Sequence, residues 1–174
     1  GLTCPRSASS HFWNSACGCY VDSAENGRQS DSVSQHINAL ALLLDVAAPE
    51  QSRNEPPNSP FGLGVTIRAA RGRFGAVGPG AIWYRADRPI VEGSSVSQAM
   101  RAAVASDFCN ASSALDFRKW TFLNADLSIS MAREPVGEWI LLDAVSWIGP
   151  DGAGLATARL ADTQGYFGRC AQTL

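Results

Sequence analysis

The sequence is short of lysine, histidine and net charge, and each shortage removes a class of function. A single Lys (Lys119) stands beside 13 Arg in 174 residues, and the formal net charge is −2. No basic run or patch is present, so a nucleic-acid partner is not expected. The longest apolar stretch, ALALLLDVAA at 39–48, contains Asp45 and is too short to span a bilayer, so no membrane partner is expected either. No charged region followed by an apolar one opens the chain, which argues against a secretory signal and for the cytoplasm. Both histidines, His11 and His36, lie in the first 59 residues, so nothing beyond them can form a Ser-His-Asp set. No glycine-rich phosphate loop follows a strand and opens a helix.

Cysteine is present in an odd number: Cys4, Cys17, Cys19, Cys109 and Cys170. An odd count without a secretory signal argues against a disulfide framework. Cys17-Gly-Cys19, with Cys4 and His11 nearby, raises a metal site. Standard zinc spacings place two to four residues between paired cysteines, and no second knuckle follows. Free thiols in an irregular segment are the better reading, and neither a metal nor a cofactor is expected.

What is there divides into two unequal parts. Residues 1–59 are rich in Ser, Asn and Gln and carry a turn signal, Asn26-Gly27. They hold one helix candidate, SVSQHINALALLLDVAA, in which Val33, Ile37, Leu40, Ala41 and Leu44 recur at helical spacing. The Pro- and Asn-rich SRNEPPNSP then reads as a linker.

From residue 60 to 174 the pattern tightens into a single domain. GVTIRAA and AIWYRAD read as strands, with Gly78-Pro79-Gly80 as a turn between them. EGSSVSQAMRAAVASDF reads as a long helix, with Ser95 and Gln98 at capping-box spacing. Its apolar stripe is expected along Val96, Met100, Ala103 and Asp107. Four strands follow at about 120–132, 138–148, 153–162 and 165–173. Pro135-Val136-Gly137, Pro150-Asp151-Gly152 and Asp162-Thr163-Gln164-Gly165 divide them. Consecutive strands with short turns make an antiparallel sheet. One long helix must cover its apolar face, which gives an α+β hotdog arrangement, the sheet wrapped around the helix.

Three positions could carry chemistry. Asp107 ends the helical stripe, where its charge opposes the helix dipole and burial would favour the protonated form, as suits a general base. In FLNADLSISMAR, Asn124 and Asp126 share the face opposite Leu123, Ala125, Leu127, Ile129 and Met131. A solvated or ion-paired carboxylate is the preferred reading of Asp126. Gln172 shares a face of the last strand with Gly168, Cys170 and Leu174, and needs hydrogen-bond partners if buried. A base with two amides can hold one water against an activated acyl group. A thioester suits so modest a site, because its leaving thiol, with a pKa of about 8.5, needs no strong general acid.

The stretch PFGLGVTIRAARGRFGAVGPGAIWYRADRPIVEG, then AAVASDFCN, then WTFLNADLSISMAREPVGEWILLDA through GPDGAGLATARLADTQGYFGRCAQTL, resembles the C-terminal half of the acyl-CoA thioesterase II (TesB-like) family. The resemblance covers about residues 60–174. It implies a hotdog fold, hydrolysis of acyl-CoA to free acid and CoA, and a water held by an Asp, a hydroxyl residue and a Gln. These fall on Asp107, Asn124 and Gln172, with Asn124 departing from the family's hydroxyl. Asn124 is thus the site residue of its strand and Asp126 its structural neighbour. The family's N-terminal hotdog has no counterpart in residues 1–59. A lone hotdog is expected to pair with a second copy through one continuous sheet, as a homodimer or higher homo-oligomer. Two other readings are an acyl-CoA-binding module without turnover and an enoyl-CoA hydratase. The hydratase is disfavoured, because that chemistry commonly uses an Asp–His pair.

Overall fold

Strand formation follows the alternation of the sequence closely. In β6 (Val65–Arg71) Val65, Ile67 and Ala69 are buried and alternate with partly exposed neighbours. β7 (Gly80–Ala86), β9 (Trp139–Ile148), β10 (Gly154–Asp162) and β11 (Gly165–Thr173) fall within a residue or so of their expected spans. The computed structural model describes residues 47–55 and 62–174, and, further upstream, four two-residue strands as backbone. These are β1 (Trp13–Asn14) paired with β2 (Cys19–Tyr20), and β3 (Ala24–Glu25) paired with β4 (Arg28–Gln29). Asn26-Gly27, read as a turn and between β3 and β4 in sequence, lies outside the described residues. Of the helix expected over 32–48, Ala47 and Ala48 are described and neither is helical. The rest, with Cys4, Cys17, His11 and His36, lies outside the described residues.

One antiparallel sheet of seven strands organises the domain, in the order β5-β6-β7-β9-β10-β11-β8. β8 is Ser128–Met131 and β5 is Arg53–Asn54. The latter lies in the stretch read as a linker and pairs with β6. Chain reversals sit at Gly137, Gly152 and Gly165, whose positive φ values of 81°, 91° and 119° are costly for any residue with a Cβ.

The sheet buries both faces unequally. On one face Ile67, Ile82, Tyr84, Ile140, Leu142, Leu160 and Phe167 pack beneath the helical layer. On the other, Ala48 packs with Ala81, Trp83, Trp139, Leu141 and Ala161, and the Trp83 indole N–H donates to the Ala47 carbonyl at 2.8 Å.

The helical layer is shorter than expected. The helix read over 92–108 is α1 (Gln98–Ser106), followed by the single turn α2 (Cys109–Ser112). Ser97, not Ser95, caps it by accepting the Met100 N–H at 3.2 Å. The buried side of α1 is Ala102, Ala105 and Ser106, whereas Met100, Ala103 and Asp107 are exposed. The stripe expectation fails for a packing reason. The sheet already supplies the large side chains, so the helix contributes small ones and lies close against it. Gly80 shows how close: a Cβ there would lie 2.2 Å from the Ser112 carbonyl oxygen.

The strand expected over 120–132 is also shortened, to its last third. Leu123 is 85% exposed, and only Leu127 and Ile129 of the expected apolar side meet the core. Asp126 is the cause. Its Oδ1 accepts the Thr173 N–H at 2.7 Å, so a side chain takes a donor that a ladder carbonyl would otherwise use. Among the described residues, no helix is long and apolar enough to cross a membrane.

Candidate active site

The end of β11 gathers the three residues singled out in the sequence. Gln172 is fully buried. Its Oε1 accepts the backbone N–H of Asn110 at 3.0 Å, and its Nε2 donates to the Asp107 carbonyl at 3.2 Å. One partner is a pure donor and the other a pure acceptor, so the amide has a single sense. Gln172 therefore fastens the α1–α2 junction to β11, with one N–H and one lone pair to spare.

Asp107 stands at the C-terminal cap of α1, with no basic residue in the last turn to offset the dipole. Its carboxylate is exposed, which corrects the expectation of a buried position on the apolar face. The cause is the rotation of the helix that puts Ala102, Ala105 and Ser106 inward.

Asn124 lies in the irregular run before β8 and is exposed. Its Oδ1 accepts from the Asn110 side-chain amide at 3.5 Å, a long contact. The run is tied to β11 on either side of Gln172. Ala125 N–H donates to the Thr173 carbonyl at 3.1 Å, and Asp126 accepts both the N–H and the hydroxyl of Thr173. Those two donors, the N–H first, hold the Asp126 carboxyl below the usual carboxylate range. Asp126 is exposed, as expected of a solvated carboxylate, and is hydrogen-bonded to Thr173 rather than ion-paired.

Asn110 was missed by sequence reasoning. It touches Gln172 through its backbone and Asn124 through its side chain, and so joins the two amides. Its place three residues after Asp107 is no signal in the sequence, because the helix breaks at Asp107 and Phe108 between α1 and α2.

Beneath this cluster the packing is dense. Phe108 stacks on Tyr84 with ring centroids 5.0 Å apart. The Ser112 hydroxyl donates to the Phe108 carbonyl at 2.9 Å, so the Tyr84 hydroxyl, 2.7 Å away, donates to Ser112. Burial drives the Tyr84 phenol far above its ordinary range, so it stays protonated. Cys109 and Cys170 are free and buried. A hydrogen bond to Cys170, then burial, pushes the Cys109 thiol strongly upward.

A seven-stranded antiparallel sheet with a short helical layer and a polar cluster at the end of its last long strand has a hotdog-like thioesterase architecture. The chain belongs to the family of acyl-CoA thioesterase C-terminal domains, whose model matches residues 46–174. Among solved structures it is similar to a protein from Novosphingobium aromaticivorans assigned as a thioesterase, at 19% identity and a TM-score of 0.52. That likeness covers 74% of this chain and 51% of the other, so the chain spans about half of that relative's length. A second protein assigned as a thioesterase, from Syntrophus aciditrophicus, is 10% identical with a TM-score of 0.48, over 68% of this chain and 87% of the other. No curated protein matches the chain.

Proposed function

We propose that the domain hydrolyses acyl-CoA thioesters to free acid and CoA. Asp107 takes a proton from a water, and the resulting hydroxyl bonds to the thioester carbonyl carbon. The tetrahedral centre then collapses, the carbon–sulfur bond breaks, and the thiol leaves with the proton. With a thiol pKa of about 8.5, that departure needs little acid assistance. Asn124 and Gln172 hold the water through their amides, and a backbone N–H serves the developing oxyanion. No resident cofactor or metal is required by this scheme. CoA thioester is the small-molecule partner, and β8, at the edge of the sheet, is available for pairing with a second copy of the chain.

The observation that carries this reading is that Gln172 bonds the Asp107 carbonyl and the Asn110 N–H while the Asn110 side chain reaches Asn124, in a chain of the thioesterase family. A second reading, an acyl-CoA-binding module without turnover, draws support from the exposure of Asp107 and Asn124. Thiol release from acyl-CoAs of short to long chain, beside calorimetric titration with a non-hydrolysable acyl-CoA thioether, separates the two. Turnover on any member of the panel supports the hydrolase. Saturable binding of the thioether without release on any member supports the module and removes the hydrolase.

A further inference from the structure

The face of the sheet opposite the helical layer carries an unusual row of charge. Arg169 on β11 lies in register with Arg159 on β10, which lies in register with Asp143 on β9. On the far side of Arg169 the row continues to Ser130 on β8. Arg71 joins from β6, its Nη2 2.6 Å from Asp143 Oδ1.

Asp143 is shared and saturated. Its Oδ1 takes Arg71, and its Oδ2 takes Arg159 through Nε at 3.1 Å and through Nη2. The Tyr166 hydroxyl adds a contact at 3.4 Å, and the Arg159 guanidinium lies 4.6 Å from the Tyr166 ring centroid. Arg159 is therefore held on two sides with its Nη1 edge uncommitted. The Arg169 side chain makes no hydrogen bond, ion pair or ring contact among the described residues, and the residue is exposed.

Like charges directly opposite on neighbouring strands destabilise a sheet. Here three guanidiniums stand near one carboxylate that pairs with only two of them, Arg71 and Arg159, which leaves Arg169 unpaired and a local excess of two positive charges in a chain whose net charge is −2. An arrangement that breaks a local rule without an internal compensation marks a place where a ligand supplies it.

The surroundings fit a tetrahedral anion. Two residues along, the next row is Ser128, Ala171, Thr157 and Val145. Both rows floor a groove of about 480 Å³ lined by Ser128, Ser130, Asp143, Thr157, Arg159 and Arg169. Adjacent strands lie about 4.8 Å apart, so guanidiniums standing on β10 and β11 can grip one small anion from two sides. Ala171 leaves the floor between them low, and three hydroxyls add donors at the rim. A carboxylate would use two oxygens and one charge. A phosphate monoester offers three oxygens and close to two charges, which matches the local excess.

We propose that this groove binds a phosphate group, free or borne on a nucleotide-sized molecule, between Arg159 and Arg169. The site stands apart from the thioester chemistry, because its side chains rise from the opposite face of the sheet.

The test is calorimetric titration of inorganic phosphate, and separately of adenosine 3′,5′-bisphosphate, into wild type and Arg169→Ala at low salt. Wild type should bind at least one probe saturably, and Arg169→Ala should bind it at least about tenfold more weakly. The melting temperature of the variant should not fall, since the guanidinium has no partner to lose. Bisphosphate binding about tenfold tighter than phosphate would assign the site to a nucleotide-borne group, and equal binding to the free ion. No saturable binding of either probe by wild type would overturn the proposal. So would equal binding by a folded Arg169→Ala.

Discussion

Replacing Gln172 by Glu tests how the site is held together. The new carboxyl keeps the shape of the amide. While protonated it reproduces both bonds, with its O–H donating to the Asp107 carbonyl and its C=O accepting the Asn110 N–H. Ionisation removes the donor, sets a negative charge against the Asp107 carbonyl oxygen and leaves that charge fully buried. The folded-state pKa must therefore lie above the unfolded value of about 4.3. A group raised in this way contributes fully below about pH 4.3, and its contribution is lost as pH rises through the folded pKa. A rise of about two units, modest against the three to five known for fully buried groups, corresponds to about 2.7 kcal/mol at pH 7. For a chain of this size that is a fall of about 5–10 °C in melting temperature. Chemical denaturation of wild type and Gln172→Glu at pH 4.5 and pH 7.5 measures it, with Gln172→Leu as a variant whose deficit carries no titration. Near-equality at the acid pH and a deficit of about 2–3 kcal/mol at the higher pH is the expected pattern. The same deficit at both pH values would refute the two-bond account of Gln172.

Two further perturbations probe the supports of the site. Gly80→Ala drives a Cβ to 2.2 Å from the Ser112 carbonyl, so α2 must shift, carrying Asn110 with it. A loss of about 1–3 kcal/mol by denaturant titration is expected, and the rate of thiol release should fall in the fraction that remains folded. Asp162 is fully buried and accepts from both terminal nitrogens of Arg133, at 2.5 Å and 2.9 Å, and from the N–H groups of Val136 and Gln164. Asp162→Ala takes the carboxylate from two backbone donors and from Arg133, which keeps the Glu134 and Gly165 carbonyls, and should cost about 2 kcal/mol; a loss under about 0.5 kcal/mol would show that the network is loosely made.

Strands were the legible part of this sequence. β6, β7, β9, β10 and β11 could be placed because alternation, as in β6, short apolar runs, as in β7 and β9, and glycine-marked reversals are local signals. The helix was legible in existence but not in length or rotation. Its orientation depends on what the sheet offers, and small residues such as Ala102 and Ala105 carry no large apolar signal of which side faces in. The strand before Met131 was overread for a related reason. Its alternation is real in sequence, yet Asp126 meets Thr173 from a distant strand and stops the ladder. In the candidate site, Gln172 was recognisable as an amide among small and apolar neighbours. The structure supplies what its partners are, two backbone groups more than sixty residues away. Asn110 could not be reached from composition or period, since its importance lies in bridging two segments that meet only in the folded chain. The charged row on the other face was equally hidden, because register between β8, β9, β10 and β11 decides which charges stand side by side.

The most direct test compares two carboxylates, Asp107 and Asp126, in one assay of CoA release. Asp107→Asn keeps size and hydrogen bonding but removes the base, while Asp126→Asn alters a group fastened to Thr173. The expected result is a fall in kcat of about 10²–10⁴ in Asp107→Asn and of less than about tenfold in Asp126→Asn. Undiminished turnover by Asp107→Asn, or an equal collapse in both variants, would contradict it.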